Sequence, residues 1–139
     1  MKYLYYLALL LTAGTITAQK VKLKKEIIYV EDAPTFSFDK KMMGNELHIY
    51  KLNTKEELIT ITVDNNKTES KVDDSKNITF VQQNTNVQTL NFRGRDYEFL
   101  IALILEEKVI NLKGEINPDN LVRFKAKYDD RNINHTMMR

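Results

Sequence analysis

The sequence predicts an α+β domain, with an antiparallel meander of about six strands followed by two C-terminal helices packed on the sheet. Three observations predict it. Short runs up to about residue 92 alternate apolar and polar residues with period two, the mark of half-buried antiparallel strands. After Asp96 the period lengthens to that of helices, with two capping signals. Gly44, Gly94, Gly114, Pro34 and Pro118 all fall between runs, so local punctuation and overall pattern agree.

In order, Val21 and Leu23 point one way while Lys22 and Lys24 point the other. Ile27 to Val30 follows, and Glu31 to Pro34 reads as a turn. Phe36 and Phe38 alternate with Thr35, Ser37 and Asp39 before a turn at Met43-Gly44-Asn45. Leu47 and Ile49 alternate with His48 and Tyr50, and Ile59, Ile61 and Val63 with Leu58, Thr60 and Thr62. Asp64 to Lys76 holds one apolar residue, Val72, so it reads as a long solvated hairpin loop. Strands are expected at Asn77 to Gln82 and Val87 to Phe92.

Asp96 is placed to cap a helix from Tyr97, with Glu98 in its first turn where the dipole favours negative charge. Its apolar run from Phe99 to Leu105 continues through Val109 and Ile110 to a stop at Gly114. Leu103 is expected in the core. A second helix opens at Asn117-Pro118, with Asn as cap and Pro in the first helical position. Leu121, Phe124 and Tyr128 form its apolar stripe, with Arg123, Lys125 and Lys127 facing solvent.

The first 18 residues read as a secretory signal peptide: Lys2, an apolar stretch from Tyr3 to Ala13, then a small residue before the expected cut at Ala18. That stretch is too short to span a bilayer, which takes about 20 residues. Of 139 residues, removing 18 leaves 121, with 20 Lys+Arg against 19 Asp+Glu once Lys2 is gone. The expected organisation is leader 1–18, one domain 19–130 and a flexible tail 131–139. Near-neutral, evenly mixed charge argues against nucleic acid as partner. There is no cysteine, which excludes a lipoprotein anchor, disulfides, thiol nucleophiles and Cys-ligated zinc. The expected product is soluble, secreted or periplasmic, with no membrane span.

Ala18-Gln19-Lys20, Val21 to Lys25 and Ile28 to Pro34 resemble the opening of small exported α+β proteins of unknown function from flavobacteria and other Bacteroidota. The helical end, Phe99 to Ile110 and Asn117 to Tyr128, is similar in layout. Ala33 departs from the glycine often found near that position in such proteins. The resemblance implies a compartment and no activity, cofactor or site residue.

No catalytic residue, metal site or cofactor is expected. His48 is the one histidine inside the expected fold, and no acid is evident beside it; His135 falls in the tail. Glu106 and Glu107 are adjacent, so on a helix they diverge by about 100° and read as a solvated rim. Asp64, Asn65, Asn66, Asp73 and Asp74 offer oxygen ligands without the spacing of a calcium loop. Ser37, Ser70 and Ser75 lack a nucleophile elbow.

Two weak ligand-binding sets remain. Arg93 and Arg95 flank Gly94 just before a helix start, where two guanidinium groups could hold a carboxylate or phosphate. Lys20, Lys22 and Lys24 share one strand face and could meet acidic head groups, or guard the sheet against edge pairing. The expected role is a non-enzymatic binding or structural module of the periplasm or cell envelope, with an envelope protein as partner. The alternatives are an envelope-associated binder of an anionic ligand and an unrecognised hydrolase.

Overall fold

The structure, a computed structural model, describes residues 19–64, 75–90, 92 and 94–130. The expected leader and tail and most of the polar loop lie outside the described residues.

The sheet has seven strands rather than about six: β1 (Val21–Lys24), β2 (Ile27–Val30), β3 (Ala33–Lys41), β4 (Glu46–Lys51), β5 (Glu57–Asp64), β6 (Ser75–Phe80) and β7 (Thr85–Thr89). They lie in chain order, every neighbouring pair antiparallel. The first hairpins turn on Lys25-Glu26 and Glu31-Asp32, with φ of 50°, 67°, 51° and 65°. Tight hairpins need that left-handed backbone at both central residues, and Asn or Gly normally supplies it. The turn expected from Glu31 forms at Glu31-Asp32, while Lys25-Glu26 carries no Asn or Gly to mark it.

Other boundaries shift for similar reasons. Pro34 lies inside β3, not between runs. It stands opposite Tyr29 where the β2–β3 register shifts, and an irregular strand start tolerates a missing N–H. Asp64 ends β5, while Ser75 and Lys76 begin β6, so the polar stretch is strand at both ends. β6 stops at Phe80, and β7 runs from Thr85 to Thr89.

Two helices follow, α1 (Tyr97–Glu106) and α2 (Pro118–Tyr128). Asp96 accepts from Phe99 N at 2.9 Å and Asn117 from Asn120 N at 3.0 Å, so both expected caps form. α1 ends well before Gly114. The chain from Asn111 to Glu115 is a tight turn, and Ile110 bridges Ile116. Leu100, Ile101, Ile104 and Leu105 are the buried residues of α1, whereas Leu103 is only partly buried.

One apolar cluster joins strands and helices. Phe36, Leu47, Ile61, Ile78 and Phe80 supply its sheet side, each at most 1 % exposed. Phe80 meets Phe124 of α2 edge to face at 6.2 Å. From Phe124 a chain of rings runs through Tyr128 and Phe92 to Phe99 of α1, with centroids 4.9, 5.1 and 5.9 Å apart. No described helix is long and apolar enough to cross a membrane.

Candidate functional site

Alternation puts Leu47 and Ile49 of β4 into the core and sends Glu46, His48 and Tyr50 to the opposite face. There His48 is not alone. Its Nε2 lies 2.7 Å from Glu46 Oε1 and its Nδ1 2.5 Å from Glu57 Oε1. The Thr60 hydroxyl donates to the same Glu57 oxygen at 2.5 Å. The His48 side chain is 14 % exposed. Glu46 stands two residues before His48 on one strand face, a signal legible in the sequence. Glu57 arrives only through pairing, because a register shift after Ile49 sets it opposite Tyr50.

Burial opposes charge on the ring, but the hydrogen bonds and charges of Glu57 and Glu46 outweigh it and raise the His48 pKa above its ordinary value. Burial likewise opposes charge on Glu57, yet hydrogen bonds from Thr60 and His48 hold its pKa below the usual value. A doubly protonated ring satisfies both carboxylates as a two-way donor. That arrangement has no free imidazole lone pair, which a general base requires. His48 therefore has two acid partners, Glu46 legible from strand spacing and Glu57 brought by pairing, and both of its ring nitrogens are engaged.

A second constellation forms at the start of α1. Arg95 stacks over the Phe99 ring at 4.7 Å and lines a cleft of about 260 Å³ with Lys40, Lys76, Asp96, Tyr97 and Glu98. Lys40 pairs with Leu47, and Lys76 with Val63, so both lysines rise from the core side of the sheet. The Tyr97 hydroxyl donates to Gly44 O at 2.6 Å, tying α1 to the β3–β4 hairpin. Burial, with the Glu46 charge, pushes that hydroxyl up to about 12. Arg93, the expected companion of Arg95, lies outside the described residues.

Lys20, Lys22 and Lys24 are exposed along the edge strand β1. Lys22 and Lys24 face away from Val21 and Leu23, which join the core cluster. Arg95 and the β1 lysines thus stand on opposite sides of the sheet and do not converge.

Glu107 is more than a rim. It accepts from Lys127 Nζ at 2.9 Å and from the Tyr128 hydroxyl at 3.0 Å, linking the end of α1 to α2. The Lys127 hydrogen bond is the main cause of its lowered pKa. Lys125 also departs from the expected solvent face, donating to Asn86 O at 2.5 Å and to the fully buried Asp129 at 3.1 Å.

Among the described residues no group of three His, Asp or Glu side chains is arranged to hold a metal. Asn65, Asn66, Ser70, Asp73, Asp74 and His135 lie outside the described residues. Ser37 is on β3, and Ser75 is buried at the start of β6. No protein-family model matches the chain, and the searches of curated proteins and solved structures likewise return no match.

Proposed function

We propose that the chain is exported and acts as a non-enzymatic binding module of the periplasm or cell envelope, taking a partner protein's strand along β1. The reading holds that α1 and α2 cover the apolar face of the sheet and leave the polar face and one edge for recognition. What carries it is the inequality of the two edges. Lys125 bonds the Asn86 carbonyl of β7, and Asp130 accepts from Leu90 N just beyond, so α2 and its end close that side.

α1 approaches β1 as α2 approaches β7, so what distinguishes the β1 side is its backbone pairing. Glu31 N donates to Lys20 O at 2.9 Å, which makes Lys20 and Glu31 a bonded pair. Continuing the register, Lys22–Tyr29 and Lys24–Ile27 are bonded pairs too, and Val21 and Leu23 turn their N–H and C=O outward. An incoming strand would meet those groups, as in strand addition. Lys20, Lys22 and Lys24 oppose pairing with a second copy and favour an acidic partner segment.

The test is crosslinking of the protein in a native envelope fraction, read by mass spectrometry, beside Leu23→Pro. That substitution removes an outward donor while leaving the β1–β2 bonds in place. A specific partner lost in Leu23→Pro, with the fold kept by circular dichroism at a lowered melting temperature, is the expected result. Equal capture by both proteins would reject the edge as the site.

A further inference from the structure

The β3–β4 hairpin ends in Met42 and Met43, 69 % and 102 % exposed, the two most exposed large apolar side chains among the described residues. Both are held in left-handed backbone, with φ of 54° and 59°. Turns between strands use that backbone, as at Lys25-Glu26 and Glu31-Asp32, and here it presents two large apolar side chains to whatever the tip meets.

The surroundings of the tip say what that is. Lys40 and Gly44, on either side of the methionines, both line the cationic cleft that Lys76 and Arg95 complete. Lys76 is 6 % exposed, in the same row of the sheet as Ile78 and Phe80, where alternation calls for an apolar residue. Lys40 likewise stands opposite the fully buried Leu47. Two lysines in core-side positions thus line the cleft together with Arg95 from a third element. Asp96 and Glu98 also line the cleft, so three cations face two carboxylates. Asp96 also accepts from Phe99 N, and Lys41 at the tip is ion-paired with Asp39 at 3.9 Å, so neither changes the balance of charge in the cleft.

We propose that this end of the molecule docks on an anionic lipid bilayer. Met42 and Met43 enter the boundary between head groups and acyl chains, and the cleft of Lys40, Lys76 and Arg95 takes a lipid phosphate. Apolar side chains beside basic ones are the combination that binds a membrane surface without spanning it. Cleft and tip are separate from the β1 edge, so this docking needs no partner strand.

The experiment is co-sedimentation of the purified protein with vesicles of phosphatidylglycerol and phosphatidylcholine, and with phosphatidylcholine alone, at one ionic strength. Four proteins are compared: wild type, Met42→Ser/Met43→Ser, Lys40→Ala/Arg95→Ala, and Lys22→Ala/Lys24→Ala from the opposite face. All the altered side chains are exposed, so folding should be kept, and a melt checks it. Binding to the anionic vesicles should weaken about tenfold in each of the first two variants and stay unchanged in the third. A parallel titration with inorganic phosphate separates the sources: saturable binding of phosphate by a protein that ignores vesicles would overturn the docking in favour of a free oxyanion. Equal binding to both vesicle types, no binding, or an equal loss in the opposite-face variant would also overturn it. Loss of the lipid result beside a persisting strand partner rejects this inference and leaves the proposed function intact.

Discussion

At the scale of single residues, His48 shows how much a pairing decides. Its ring bridges carboxylates from two strands, and the raised pKa converts that bridge into pH-dependent stability. The folded state holds its proton more tightly than the unfolded chain. The contribution is therefore complete below the ordinary value of 6.5 and is lost as pH rises through the folded pKa. Glu57 works the other way: its contribution is present above 4.5 and is lost as pH falls through its depressed folded value. The melting temperature should fall as pH is raised from about 6 through the folded His48 titration, and His48→Gln should flatten that slope. A slope identical in both proteins would show that the clamp stores no proton-linked energy. Asp96 acts through a single bond at a helix start, so Asp96→Ala should cost about 1 kcal/mol in chemical denaturation. These two residues were not equally legible. A cap lies three residues from the N–H it binds, so Asp96 and Asn117 could be read directly, whereas Glu57 becomes a neighbour of His48 only through the β4–β5 pairing.

At the scale of elements, α1 separates apolar composition from burial. Phe99 to Leu105 is apolar throughout, and composition alone does not rank its members. The helix turns Leu100 inward until it is fully buried and leaves Leu103 at the margin. Leu100→Asp should prevent folding, because an unpaired buried charge costs several kcal/mol, on the order of the whole stability. Leu103→Asp should fold with a lowered melting temperature. If both substitutions gave the same loss by circular dichroism, the rotation of α1 would be wrong. The strands tell a related story. Alternation found nearly every inward residue, and the turn at Glu31-Asp32 falls where expected, while Lys25-Glu26 makes a left-handed turn from residues that rarely adopt that backbone.

At the scale of the whole molecule, a continuous core implies one cooperative unit. Phe124 is 1 % exposed and touches both Phe80 of the sheet and Tyr128, which reaches α1 through Phe92 and through Glu107. Phe124→Ala should cost about 3–5 kcal/mol. Far-ultraviolet circular dichroism and tyrosine fluorescence should shift together in that variant, since sheet and helices unfold as one. Separated transitions would show a sheet that stands without α2.

The sequence by itself determined the class of the fold, the faces of most strands and the caps of both helices. Each of these depends on neighbours within about four residues, where backbone geometry alone sets which side chains meet. The tertiary structure decided the rest. It set Glu57 on His48, stood Lys40 and Lys76 beside Arg95, and tied Lys125 of α2 to the β7 edge. Those relations join residues up to several tens of positions apart, and strand register, not spacing along the chain, determines which of them share a face.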